Sequence, residues 1–121
     1  MGKIESHRDL VVWRKAMEMT AEVYRLAAGF PREEEYRLTS QLVRAAASVP
    51  ANVAEGHARG TRKDYAHFVA VAKGSLAEAE TFLLLALDLG LASPQEAQHA
   101  LSLIEEISKM LTALRARLLS G

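Results

Sequence analysis

The four histidines are the residues of this 121-residue chain best suited to metal binding or proton transfer. A zinc site on a helix needs two histidines four residues apart on one face and a third ligand that converges on them. His57 and His67 are separated by a predicted loop, and His7 and His99 lie on other predicted elements. A di-metal bundle site needs a pair of Glu-x-x-His motifs, and the sequence holds no such pair. Solvated histidines are therefore expected, with no metal and no cofactor.

Nucleophilic catalysis is the next chemistry to consider. The chain has no cysteine, which excludes thiol catalysis, thiolate metal ligands and disulfides. Asp64 and His67 are three residues apart and can hydrogen-bond, but no nucleophile is placed to use them. The sequence therefore predicts a protein that is not an enzyme.

The segment 56–63, Gly-His-Ala-Arg-Gly-Thr-Arg-Lys, superficially resembles a phosphate-binding loop. It lacks the G-x-x-x-x-G-K-[ST] spacing and no strand precedes it, which excludes a nucleotide-hydrolysing P-loop. Free N–H groups at a helix start next to basic side chains can nevertheless hold one phosphate of a larger ligand. The alternative is an ordinary solvated loop. The candidate contacts to a phosphate backbone are Arg44, Arg59, Arg62, Lys63 and Lys73.

Composition places these residues in one helical domain spanning residues 1–121. Half of the residues are hydrophobic and only 6% are aromatic, with Ala and Leu dominant, which favours helices. Fifteen basic and fifteen acidic residues give no net charge, so the whole-chain charge does not itself indicate a nucleic-acid-binding protein. No signal peptide is visible, and the longest apolar run, 82–87, is too short to span a membrane. We expect a soluble, cytoplasmic protein with no membrane partner.

Apolar periodicity and capping signals predict four helices over 9–28, 32–57, 61–89 and 94–118. Capping boxes are expected at three of the helix starts: Ser6 with Asp9, Thr61 with Asp64, and Ser93 with Glu96. Gly29 and Gly90 are placed to end the first and third helices, Gly29 in a left-handed conformation. Leu10, Trp13, Met17, Ala21, Tyr24 and Ala28 form an apolar stripe on the first helix. Short connections then favour an all-α, up-down-up-down four-helix bundle.

The stretch 38–56 in the second helix organises the rest of the chain. Its apolar spacing stays in phase across Pro50, which has no N–H to offer the carbonyl of Ala46. A bend is expected there, with Ser48 or Asn52 able to reach the freed carbonyl. The alternative is that one helix ends at Ser48 and a new one begins.

Toward its end the third helix is apolar on all sides. A single bundle core cannot bury every side of a helix, so part of this surface is expected to pack on another subunit. Deep burial within the monomer is the alternative. The candidate interface residues are Phe82, Leu84, Leu85 and Leu87.

Several segments together resemble a known family. They are 10–13 (Leu-Val-Val-Trp) followed by Ala16, 36–42 (Tyr-Arg-Leu-Thr-Ser-Gln-Leu), 44–56 with its S-x-P-x-N-x-A-E-G core, and 74–78 (Gly-Ser-Leu-Ala-Glu). The chain resembles, over about residues 8–118, the small four-helix bundle proteins encoded in intervening sequences of large-subunit ribosomal RNA genes. That family is similar in turn to the accessory variability proteins of diversity-generating retroelements.

The resemblance implies an up-down four-helix bundle that assembles as a ring-like homopentamer and has no known enzymatic activity. The retroelement relatives work beside a reverse transcriptase and bind nucleic acid through a basic surface. The expected function is therefore a non-enzymatic, homo-oligomeric module that binds RNA or DNA or acts as a scaffold. The alternative is an adaptor that binds another protein and no nucleic acid.

Overall fold

A computed structural model describes residues 4–120, and four α-helices occupy most of this range. They are α1 Val11–Ala27, α2 Ser40–Ala58, α3 Arg62–Asp88 and α4 Pro94–Leu119. Each helix packs against the next in sequence, and α4 packs back against α1. Because the connections are short, successive helices run in opposite directions. The predicted all-α, up-down-up-down four-helix bundle is confirmed.

The starts of α3 and α4 follow from their capping residues. Ser93 Oγ accepts a hydrogen bond from the N–H of Glu96 at 3.1 Å, and a carboxylate oxygen of Glu96 accepts one from the N–H of Ser93 at 2.8 Å. This reciprocal pair confirms the predicted capping box. At α3, Thr61 Oγ1 accepts from the N–H of Asp64 at 3.1 Å, so Thr61 caps the helix without a returned bond from the aspartate.

The start and end of α1 differ from the prediction. The capping box of Ser6 and Asp9 does form, but it caps a short 3-10 helix over His7–Asp9, and α1 begins only at Val11. Gly29 is not left-handed, since the glycines with positive φ among residues 4–120 are Gly60 and Gly90.

The face of α1 that enters the core also differs from the prediction. Of the predicted stripe, Leu10 and Trp13 are partly buried and pack against the core, but Met17 is 46% exposed and Tyr24 is 54% exposed. A neighbouring set of apolar residues is buried instead, namely Val12, Ala16, Met19, Val23 and Ala27. The chain therefore has a second, outer apolar stripe on α1.

The second helix continues through Pro50, which excludes the break at Ser48. The carbonyl of Ala46 is satisfied by Thr20 on α1, not by Ser48 or Asn52 as predicted. Thr20 Oγ1 lies 2.8 Å from the carbonyl oxygen of Ala16 and 3.1 Å from that of Ala46, so its hydroxyl is shared between the two. The predicted helix start at residue 32 is replaced by a 3-10 turn, Arg32–Glu34, and a π-helical turn, Glu35–Thr39.

A small polar network lies between α2 and α3. Asn52 Nδ2 donates to the carbonyl oxygen of Ser48 at 2.8 Å and to Ser48 Oγ at 2.9 Å. Ser48 Oγ is in turn 2.8 Å from Ser75 Oγ on α3. Because these hydroxyl and amide groups satisfy one another, they can lie partly buried at low energetic cost. Ser48 and Asn52 of the S-x-P-x-N core therefore serve the packing of α2 against α3.

The bundle core is built from small and aliphatic residues. Met19, Leu42, Leu83, Ile104, Ile107 and Leu111 are its largest fully buried side chains. Within residues 4–120, no helix combines the length and the apolar character needed to cross a membrane.

Candidate nucleic-acid interface

The five cations predicted as phosphate contacts do not form one patch. Arg44 lies midway along the bundle in a groove between α2 and α3, beside Glu78 and Phe82. Lys73 lies in a different groove, between α3 and α4, whose lining includes Glu80 and Glu105. The other three cations are at the turn between α2 and α3. The structure therefore separates Arg44 and Lys73 from the predicted phosphate loop.

Arg62 is already engaged within the chain. Its Nη2 donates to the carbonyl oxygen of Arg117 at 2.5 Å, and its Nε donates to that of Leu118 at 3.2 Å. These carbonyls belong to the last turn of α4, where carbonyls lack the usual N–H donor four residues further along the chain. The carbonyl of Arg117 also accepts a hydrogen bond from Ser120 Oγ at 3.0 Å. Arg62 therefore caps the end of α4 and ties it to the start of α3.

Arg59 is held by two neighbours. Its Nε is 3.5 Å from a carboxylate oxygen of Glu55, and its guanidinium carbon lies 4.8 Å from the centroid of the Phe68 ring. The face of an aromatic ring attracts a cation, so Phe68 helps to orient this side chain. Arg59 remains half-exposed and still presents positive charge to solvent.

Positive charge is concentrated at one end of the bundle. In an up-down-up-down bundle the start of α1, the turn between α2 and α3, and the end of α4 lie at the same end. Residues 4–15, 55–67 and 113–120, which we call the basic end, contain four Asp/Glu and eight Lys/Arg: Arg8, Arg14, Lys15, Arg59, Arg62, Lys63, Arg115 and Arg117. Sequence reasoning missed five of these residues, although the predicted helix directions were sufficient to group them: Arg8, Arg14, Lys15, Arg115 and Arg117.

Negative charge is concentrated toward the other end. Residues 18–37 and 78–99, which we call the acidic end, contain three arginines and nine carboxylates: Glu18, Glu22, Glu33, Glu34, Glu35, Glu78, Glu80, Asp88 and Glu96. The net charge of zero therefore conceals two ends of opposite sign. A polyanion would be attracted to the basic end and repelled by the other.

Asp9 is one of the few acids at the basic end, and its environment favours the charged form. Its carboxylate accepts hydrogen bonds from the backbone N–H groups of Glu5 at 2.9 Å and Ser6 at 3.1 Å. These donors hold the pKa of Asp9 below its ordinary value, and the charge of Arg14 acts in the same direction. The stabilisation is present above the unfolded-state pKa and is lost as the pH falls through the lower folded-state pKa.

Replacing Asp9 with asparagine is therefore expected to flatten the dependence of Tm on pH below about pH 5. The measurement is Tm by circular dichroism at a series of acidic pH values. Asp64→Asn is the matched control, because it makes the same change of charge at an exposed carboxylate that accepts no backbone hydrogen bond. If Tm depended on pH as steeply in the Asp9→Asn variant as in the wild type, this account would be contradicted.

Two aromatic rings also lie at the basic end. The Tyr65 and His57 rings meet edge to face with centroids 5.7 Å apart. Burial raises the pKa of the Tyr65 hydroxyl, with the charge of Arg117 acting in the opposite direction. Within residues 4–120, three or more His, Asp or Glu side chains do not converge anywhere in a way that would hold a metal ion.

The residues predicted to form a subunit interface also separate into groups. Phe82 and Leu87 are partly buried and pack against the core. Leu84 is 46% exposed and Leu85 is 44% exposed, but they lie on different sides of α3. Leu84 lines the groove toward α4, whereas Leu85 follows Phe82 by three residues on the side of α2.

Comparison with known proteins now gives the family. Residues 8–113 match the model of the 23S rRNA-intervening sequence protein family. A similar solved structure is a protein of unknown function from the S23 ribosomal protein family of Bacteroides thetaiotaomicron, with a TM-score of 0.78 and 21% sequence identity. The alignment covers 87% of this chain and 98% of that one. No curated protein matches the sequence significantly. The chain belongs to the 23S rRNA-intervening sequence protein family.

Proposed function

We propose that this chain is a non-enzymatic, homo-oligomeric helical bundle that binds RNA or DNA through its basic end. The observation that carries the proposal is the separation of charge along the bundle. The three segments of the basic end contain eight lysines and arginines against four acids. One of the eight, Lys15, is also ion-paired with Glu106 of α4 at 3.0 Å. Basic side chains bind a phosphate backbone by neutralising its charge and releasing counterions. Such contacts hold the ligand without reading its sequence.

Assembly strengthens this proposal. In a cyclic oligomer all copies point the same way along the symmetry axis. With the bundles aligned along that axis, the basic ends lie on one face of the ring. A ring of five copies, as the resemblance implies, then presents five basic ends to one nucleic-acid chain. Several weak sites on one particle increase the overall affinity without any new type of contact.

The revised set of contacts differs from the predicted one. Lys63 remains, together with Arg59, while Arg62 contributes charge but has a structural role. Arg8, Arg115 and Arg117 join the set because they are exposed at the same end. Arg44 and Lys73 are left out because they lie in separate grooves along the sides of the bundle.

The test is fluorescence anisotropy with labelled RNA and DNA oligonucleotides at two salt concentrations. Combined substitution of Arg8, Lys63 and Arg115 by alanine is expected to weaken binding at least about tenfold at low salt. If all three contact DNA phosphates, the slope of log affinity against log salt should fall by roughly 2 to 3 units.

The matched control removes three exposed arginines from the acidic end: Arg25, Arg32 and Arg37. It makes the same change in net charge, so it should bind as the wild type does or only slightly less tightly. Equal weakening in both variants would show that position does not matter and would contradict the proposal. No binding by the wild type at low salt would remove the nucleic-acid function.

In that case the protein-binding adaptor becomes the better function. One observation favours it: Tyr36, at the acidic end, is 88% exposed. Large exposed aromatic side chains are common where proteins bind one another. If the chain is such an adaptor, the three substitutions at the basic end should leave its binding to a partner protein unchanged.

A further inference from the structure

Aromatic rings are concentrated at the basic end together with the cations. Three of the four histidines of the chain lie there, as do Trp13 and Tyr65, and Phe68 follows directly after it. The chain therefore carries its rings where it carries its positive charge. Within residues 4–120 the rings in contact are three edge-to-face pairs: His7 with Trp13 at 5.0 Å between centroids, His57 with Tyr65 at 5.7 Å, and His67 with Phe68 at 5.2 Å.

Gly56 explains why four of these rings gather at the turn between α2 and α3. Because it has no side chain, Tyr65 and Phe68 of α3 approach the α2 backbone closely. Positions one and three residues after a given residue lie on opposite sides of it around a helix. His57 accordingly lies against Tyr65 on one side, and on the other side Arg59 lies over Phe68. We call the four rings the ring cluster: His57, Tyr65, His67 and Phe68.

The ring cluster is accessible from outside the chain. His67 is exposed, and the other three side chains are only partly buried. In an edge-to-face pair, the ring that offers its edge keeps both of its faces clear of its partner, and the other ring has only one face covered. Flat groups can therefore stack on the cluster. Arg59 is also exposed and extends this surface, because a guanidinium plane stacks on a nucleobase as an aromatic ring does.

Cations border the ring cluster. Lys63 is exposed in the first turn of α3, two residues before Tyr65. The hydrogen bonds of Arg62 hold the end of α4 against the start of α3, which brings Arg117 close to the cluster. Burial raises the pKa of Tyr65, and the charge of Arg117 opposes this effect. Rings and cations thus share one surface, which is the combination that proteins use to bind single-stranded nucleic acids.

Rings and phosphate contacts favour different forms of nucleic acid. A DNA duplex carries one negative charge per about 1.7 Å of its axis, so phosphate contacts alone favour the duplex over a single strand. The faces of its bases, however, are covered by the neighbouring base pairs. An unpaired base has free faces, and each base that stacks on an aromatic side chain tightens binding about fivefold or more. Ring stacking therefore selects the single strand.

We propose that the basic end binds single-stranded RNA or DNA in preference to a duplex, with unpaired bases stacked on His57, His67 and the guanidinium of Arg59. This inference rests on the nucleic-acid half of the proposed function and adds to it the form of the ligand. The neighbouring lysines and arginines neutralise the phosphates between the stacked bases. Because every base has a flat face, the site accepts any sequence.

Fluorescence anisotropy with four labelled probes of equal length tests this preference. The probes are a DNA strand without self-complementarity, the corresponding RNA strand, the DNA duplex and an abasic DNA strand. The wild-type chain is expected to bind each intact single strand at least about tenfold more tightly than the duplex at the same salt concentration. The abasic strand keeps the phosphates but has no base to stack, so it should bind no more tightly than the duplex.

Substitutions in the ring cluster separate stacking from charge. His57→Ala with His67→Ala is expected to weaken binding of the single strands at least about fivefold and to leave binding of the duplex unchanged. His57→Phe with His67→Phe keeps the rings without the imidazole nitrogens, so it should bind the single strands as the wild type does. His67→Ala alone should weaken single-strand binding in the same direction, and it changes only an exposed side chain, so the fold is retained.

The matched control is His99→Ala, which removes the exposed histidine at the acidic end and should leave the affinity for all four probes unchanged. A duplex bound as tightly as the intact single strands would overturn the inference and leave the proposed phosphate binding in place. An abasic strand bound as tightly as the intact one, or single-strand binding unchanged in the alanine variants, would have the same consequence. No binding of any probe at low salt would overturn the proposed nucleic-acid function and this inference with it.

Discussion

Replacing Gly56 with alanine is expected to lower the free energy of unfolding by about 1–3 kcal/mol, the usual range for an overpacked core. The new Cβ would lie 2.8 Å from Phe68 Cβ, 3.1 Å from Tyr65 Cδ1 and 3.2 Å from the carbonyl oxygen of Tyr65. Two of these atoms are backbone or directly attached to it, so a side-chain rotation cannot relieve the contact. Helices α2 and α3 would therefore have to move apart at the point where they approach closely.

Urea unfolding followed by circular dichroism measures this effect. Gly74→Ala is the matched control, because its methyl group meets nothing in the same chain. It should raise the free energy of unfolding by up to about 1 kcal/mol through helix propensity. Both changes are best made in a Leu85→Glu chain, so that subunit association does not contribute. Equal effects of the two substitutions would contradict the account of Gly56.

Features governed by neighbouring residues could be predicted from the sequence. The start of α4 is specified by Ser93, Pro94 and Glu96 within four positions, and the predicted capping box forms. The order and direction of the helices follow from such local signals and from short connections. A helix is a local structure, so its presence and ends depend mainly on residues close in sequence.

The orientation of α1 could not be predicted in this way. Two sets of apolar residues on α1 have helical spacing: Val12, Ala16 and Met19, and Trp13, Met17 and Tyr24. Periodicity alone cannot tell which of these two faces enters the core. The choice depends on which side chains fit among the other three helices, and this information is distributed over the whole chain. Of the misassigned residues, Met17 and Tyr24 are exposed on the outer side of α1.

The candidate site was only partly predictable for a related reason. Arg59, Arg62 and Lys63 stand out because they are close together in sequence. The hydrogen bond from Arg62 to the carbonyl of Arg117 joins residues far apart in sequence, so the structural role of Arg62 was hidden. Arg8 and Arg115 become relevant only when the helix ends are brought together.

Replacing Thr20 with valine is expected to cost about 1–3 kcal/mol, because the buried carbonyl of Ala46 would lose its donor. Pro50 cannot supply one, since it has no N–H. In a Pro50→Ala chain the new N–H can bond to Ala46, so the same Thr20→Val change should cost less. The expected coupling between the two positions is at least about 0.5 kcal/mol.

The wild type, Thr20→Val, Pro50→Ala and the double variant are compared by urea unfolding. Thr20→Ser is the control, since it keeps the hydroxyl and should retain most of the stability. An equal cost of Thr20→Val with and without Pro50 would show that the hydroxyl does not replace the missing N–H. A clear coupling would instead link Pro50 to α1 through a hydrogen bond. It would explain how a proline is accommodated inside α2, and it would assign the S-x-P-x-N core to helix packing, leaving the basic end as the surface available for a ligand.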